Sequence, residues 1–289
     1  MSRRERFRPA VLALALVSAL AAAACSGDAQ EADRPAPAGE SERATSWPNE
    51  ENTGATGPYR VIQGRTLTRD GAVLENVQIE GTLTIRANNV TLRNVLVRAN
   101  SYYGILIYGT GTVIEDSTVA GTNPDTMAGI AAIEGGTFTA SRIEVVGVED
   151  GVRLADDCVL RDSLIHGLAG DPTSHFDGAT ADGGFRRWRI IHNTILNPHD
   201  QTAAVWVGDA RYGPSEGELR DNYLAGGGYS IYAGPGIGKG IRVVDNVFST
   251  RYYPRSGYWG VSSRWEPEGN TWTGNTWVDG PDSGSPVLP

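Results

Sequence analysis

The sequence predicts an all-β protein, a parallel β-helix solenoid of roughly nine to ten coils. Three observations predict it. One phrase of alternating apolar and polar residues returns along residues 59–280, at spacings of about 20 to 30 residues. A small polar residue, most often asparagine, holds the same place in every copy after the first. With Gly 37 and Pro 15 as punctuation, no stretch keeps a helical period of 3.6 for long.

The copies are "VTLRNVLV" (90–97), "TVIEDSTV" (112–119), "CVLRDSLI" (158–165), "WRIIHNTI" (188–195), "GELRDNYL" (217–224), "IRVVDNVF" (241–248) and "NTWTGNTW" (270–277). Period-two alternation marks each as a half-buried strand. Asn193, Asn222, Asn246 and Asn275 share one column, which Ser117 and Ser163 occupy earlier. In a solenoid such a column forms a ladder of amides about 4.8 Å apart. An antiparallel sandwich would not repeat that column. A second strand in each unit starts with a small residue: Gly104, Gly129, Gly151, Gly178, Ala204 and Ser230.

The rest of the chain reads as signal, tether and tail. Arg3, Arg4, Arg6 and Arg8 precede an apolar run ending in small residues at Ala24, a secretory signal over 1–24 too short to span a membrane. Residues 25–58 are rich in Pro, Ala, Glu, Ser and Gly and predict a flexible tether. Residues 281–289 predict a disordered tail. The segment 249–270, dense in aromatics, predicts a loop closing one end of the solenoid.

Charge and cysteine bound the partners. Taking the signal's net +3 and the tether's net −5 out of −9 leaves the body near −7. That argues against nucleic acid and against a basic face for anionic membranes. Cys158 falls in an inward column with Val90 and Trp188, as a buried small hydrophobe. Cys25 directly follows the apolar run, so no intrachain disulfide is expected.

The candidate site centres on "DPTSHFDGATADGG" (171–184). Aligning the second strands puts Asp150 and Asp177 in one column of consecutive coils. Carboxylates that close repel, so one of the pair is expected to keep its proton more tightly. Such a pair can split acid and base roles, share a proton or hold a divalent cation. It can equally cap turns, as Asp before Gly often does. The four histidines, His166, His175, His192 and His199, fall in one short window. Three lie in or beside the loops that enter these strands. His192 lies in the first strand with Asp162 and Asp221, facing outward. Arg153, Trp206 and Tyr232 share an outward column, where the aromatics could stack on sugar rings. Calcium held by Asp150, Asp177 and loop carbonyls is the cofactor these residues would favour, if any.

"GVEDGVRL" (147–154), "DSLIHGL" (162–168), "HFDG" (175–178), "IHNTI" (191–195), "GGGYSIYAG" (226–234) and "GNTW" (274–277) resemble the right-handed parallel β-helix of the pectate-lyase-like superfamily, over residues 59–280. Within it, the chain is most similar to bacterial secreted proteins whose matching segment reads HxDGIQ; "HFDGAT" lacks the Ile-Gln pair. "NPHD" (197–200) resembles the Asp-Pro-His-Asp motif of β-helix alginate epimerases, with Asn197 in first place. The end of the signal, "AAAC", resembles a bacterial lipobox, with Ala22 where leucine is usual. That resemblance implies cleavage before Cys25, a lipid on its thiol and anchorage on the outer face of the cytoplasmic membrane. The superfamily resemblance implies a monomeric protein acting on a polysaccharide by elimination, epimerisation or hydrolysis. Catalytic candidates are His175, Asp177, Asp150, Arg153, His166 and His199; Trp206 and Tyr232 would bind substrate. A glycan-binding surface protein and a purely structural solenoid remain the alternatives.

Overall fold

Three parallel sheets run the length of the molecule, and the chain visits each once per coil. The computed structural model describes residues 46–181, 184–208, 215–233 and 239–289. All of these belong to one compact unit. Among them there are strands and turns but no helix. The expected signal, Cys25 and the first part of the tether lie outside the described residues.

Three aliphatic stacks make the core. One sheet stacks Val97, Val119, Val145, Ile165, Ile195, Leu224 and Phe248 in register. The next stacks Leu83, Ile105, Ile130, Val152, Ala179, Val205 and Ile231. The third stacks Leu92, Ile114, Ala140, Leu160, Ile190, Leu219 and Val243. Every one of these side chains is buried. Burying a Val, Leu or Ile contributes about 1.5–3 kcal/mol, so the stacks are the main source of stability. Cys158 lies among them, fully buried as expected, and burial pushes its thiol pKa up to about 11.

From residue 112 onward the repeated phrase is two strands rather than one; the first copy lies in the single strand Thr91–Ala99. "CVLRDSLI" divides into Val159–Arg161 and Leu164–His166, on different sheets. The corner between them is made by one residue at positive φ: Asp116, Arg142, Asp162, His192, Asp221 and Asp245 lie between 48° and 56°. That left-handed conformation suits Asn and Asp better than other L-residues. The ladder residue follows directly. Asn193 N and Nδ2 both donate to Asn222 Oδ1 at 2.9 Å, and Asn222 repeats the pattern on Asn246. Asn246 does the same to Asn275, while Ser163 Oγ accepts from Ile143 N. The ladder thus satisfies backbone amides that the sharp corner takes out of the sheets.

Both ends of the predicted body need correction. Residues 46–58 are not free tether but a strap packed along this corner. Gly54 N donates to Arg142 O, Ala55 N to Thr118 Oγ1, and Thr56 N to Asn94 Oδ1. The strap holds because the corner's outward Asn and Thr side chains offer bonds to its backbone, which composition does not reveal. The tail also packs: Val287 is buried, and its carbonyl accepts from Trp272 Nε1. An apolar residue at the open end of the last coil finds core to cover there. The segment 249–270 divides: Trp265 packs on Trp272 of the last coil and against the core, as expected of an end cover, while the earlier part runs elsewhere. Tyr258 N and Trp259 N donate to Gly227 O and Gly228 O, and Tyr253 OH reaches Pro198 O. Tyr253, Tyr258 and Trp259 therefore lie along the flank.

Candidate active site

The outer face of the sheet that starts each second strand carries the candidate residues. The strands Asp150–Arg153 and Asp177–Thr180 are neighbours, and Asp150 pairs with Asp177 in register. Their backbones are therefore one rung, about 4.8 Å, apart. The glycine after each aspartate is required by crowding. A Cβ at Gly151 would lie 2.2 Å from Gly178 O, and one at Gly178 would lie 2.3 Å from Ile195 Cγ2. The tight entry to the strand holds the aspartate ahead of it on the outer side.

Both carboxylates are nearly covered, Asp150 at 6% and Asp177 at 3% exposure. Asp177 Oδ1 accepts from Ala203 N at 3.0 Å, which ties it to the next coil. Asp150 Oδ2 lies 3.2 Å from Arg153 Nη1, and the same nitrogen touches Met127 Sδ. The Arg153 side chain remains 37% exposed, so part of the guanidinium faces solvent. From Arg153 the column continues through Thr180 to Trp206 and Tyr232, the order read from the sequence. The Trp206 and Tyr232 rings meet edge to face at 5.0 Å, and Tyr229 joins them. On the other flank Tyr103 stands two rungs before Asp150, in the same column through Ala128. Burial, then neighbouring Tyr102, pushes its phenol pKa up.

The histidines separate. His175 stays with the aspartates: Glu149 accepts from His175 N and from Ser174 Oγ, both at 2.9 Å, pinning the loop that leads to Asp177. The His175 side chain is exposed, and no hydrogen bond or ring contact joins it to the described residues. His166 and His199 do not belong to the site. His199 Nε2 donates to Leu168 O at 2.9 Å, and its ring stacks on Phe176 at 3.6 Å, so it braces the loop. His166 lies on a different sheet, 3.1 Å from Glu144, whose pKa it lowers. His192 does not look out to solvent: it is bonded to Asp162 and covered by Trp47. Proximity in sequence misled because each coil distributes neighbours over three sheets.

Two further features escaped the sequence. Tyr229 belongs to the face because Asp177, Ala203 and Tyr229 share a register, and its tyrosine sits one residue before the small column used for alignment. Tyr258 and Trp259 are exposed and in edge-to-face contact beside it, on a loop that has no periodicity to read. Among the described residues no group of three or more His, Cys, Asp or Glu side chains is arranged to hold a metal ion.

Comparison with family models, curated proteins and solved structures gives no match. Fold and site together define the class: a parallel β-helix whose outer face pairs two covered carboxylates with an arginine and a row of aromatic rings.

Proposed function

We propose that the protein is a secreted polysaccharide-active enzyme that cleaves a glycan chain laid along this face. The observation that carries the reading is the register of Asp150 on Asp177, with Arg153 on one side and aromatic rings along the same face. Backbones one rung apart leave the two carboxyls free to stand at the about 5–5.5 Å of retaining glycosidases. In this reading Asp150, held against Arg153, attacks the anomeric carbon. Asp177 protonates the departing oxygen. Water then breaks the glycosyl–Asp150 bond, with Asp177 taking its proton. Trp206, Tyr229 and Tyr232 offer flat apolar faces with polar edges for sugar rings.

Arg153's exposed guanidinium favours a second reading, elimination at a uronate. It would neutralise the substrate carboxylate while His175 takes the adjacent proton. The resemblance to the pectate-lyase-like superfamily supports either chemistry. The lipobox-like "AAAC" supports cleavage before Cys25 and anchorage of the mature chain to a membrane by a lipid on Cys25.

Affinity electrophoresis of the full mature chain through neutral and uronate polysaccharides tests the binding half. Trp206→Ala and Tyr232→Ala should each weaken retention by roughly tenfold on the polymer that retains the parent, an effect of lost ring stacking. Equal retention of parent and variants on every polymer would reject the face as the binding surface.

A further inference from the structure

The outward column that carries Asp150 and Asp177 reads the same from either end. In register it runs Tyr103, Ala128, Asp150, Asp177, Ala203, Tyr229. A tyrosine thus stands two rungs outside each carboxylate, and the two tyrosines are about 24 Å apart along the solenoid. The alanines between add little bulk to the path from rings to carboxylates. Each tyrosine is extended by further rings. Tyr102 meets Tyr103 edge to face at 4.9 Å and is 55% exposed. At the other flank Gly260 pairs with Tyr229, which brings Tyr258 and Trp259 beside it. Their rings meet at 4.7 Å, and Trp259 is 58% exposed.

Charge along the same face is sparse and mostly negative. The second outward column runs Leu106, Ala131, Arg153, Thr180, Trp206, Tyr232, Ser263. In the two columns Arg153 is the one cation, and Asp150 holds it at 3.2 Å. Three arginines on flanking segments are engaged too: Arg86 over Tyr108, Arg251 over Tyr252, and Arg255 on Tyr258 O. Asp150, Asp177 and Glu149 stand on the negative side. A uronate chain brings a negative charge with each unit, so a bound length would set several charges against one arginine. Like charges brought together without counter-charges repel. An uncharged chain needs only the rings, with apolar sugar faces on aromatic faces.

We propose that the substrate is an uncharged glycan, gripped by aromatic rings on both sides of Asp150 and Asp177 and cut within the chain. This substrate class presupposes the cleavage by Asp150 and Asp177 proposed above. With rings on both flanks, sugar units lie on either side of the broken bond, and both products are oligosaccharides. Tyr102 and Trp259 stand away from the reacting atoms. They hold ground state and transition state alike, so their loss raises KM and leaves kcat.

The test is reducing-end release by the full mature chain on glucan and mannan, both uncharged, and on polygalacturonate, with early products sized by chromatography. An uncharged polymer should be cut fastest, into oligosaccharides of mixed length. KM on it should stay the same between about 0.05 and about 0.5 M salt, since no ion pair holds the chain. On that polymer Tyr102→Ala and Trp259→Ala should each raise KM roughly fivefold with kcat kept. Both side chains are exposed, so neither change disturbs the core. Trp206→Ala is the control for the face itself. If KM rises in Trp206→Ala but not in both of the other variants, the two-sided grip is overturned and the face remains the binding surface. Faster cutting of polygalacturonate would overturn the uncharged substrate, and single sugars released from the outset would overturn the internal cut. No turnover of any of the polymers, or an unmoved KM in Trp206→Ala, would remove the proposed cleavage and this substrate with it.

Discussion

Asp177→Asn is expected to lower polysaccharide turnover by roughly a thousandfold, the usual effect of losing a general acid. The solenoid should stay intact. Asparagine keeps the Oδ1 that accepts from Ala203 N at 3.0 Å, and it occupies the same buried volume. The loss should fall on kcat with KM little changed, because the aromatic row that binds the chain is untouched. Far-ultraviolet circular dichroism and the unfolding midpoint, measured beside the rate, separate lost chemistry from lost structure. A variant that turns over substrate as fast as the parent would remove Asp177 from the mechanism.

Asn222→Ala is the stability prediction with the largest effect. Its side chain accepts from both Asn193 N and Asn193 Nδ2, and donates to Ile190 O, Arg220 O and Asn246 Oδ1. Truncation breaks the ladder at its middle and leaves buried polar groups without partners. Each such group costs about 1–3 kcal/mol, so a loss of about 3–5 kcal/mol is expected. Asn275→Ala, at the last rung, should cost less: it accepts from Asn246 as Asn222 accepts from Asn193, but its Nδ2 donates to Val243 O alone among the described residues. Urea unfolding of the two variants checks the order. Equal midpoints for parent and Asn222→Ala would mean that the ladder does not hold the corner.

These two predictions draw on what the sequence makes legible and what it does not. The ladder could be read because one residue type recurs at one place in the repeat, and the register of Asp150 on Asp177 could be read because both precede a glycine. Columns survive in sequence when they are in strands of constant length. The third sheet could not be read. A single residue at positive φ, such as Asp162 or His192, turns the chain by a corner without breaking the apolar alternation. The loops were the other blind spot. His166, His175 and His199 are close in sequence, yet one pairs with a glutamate on another sheet, one is exposed, and one braces a carbonyl. The strap shows the same limit from the opposite side. Its composition is that of a linker, and it is the bonds to Arg142, Thr118 and Asn94, with the Trp47 stack on His192, that reveal that it docks.

The most direct test of the central claim is the stereochemistry of the product. The full mature chain is incubated with the polysaccharide it binds, and the anomeric configuration of newly freed ends is followed by proton NMR before they mutarotate. Two carboxylates one rung apart predict retention, with signal lost in both Asp150→Asn and Asp177→Asn. Inverted ends, an unsaturated product of elimination, or ends that still form in the two variants would contradict it.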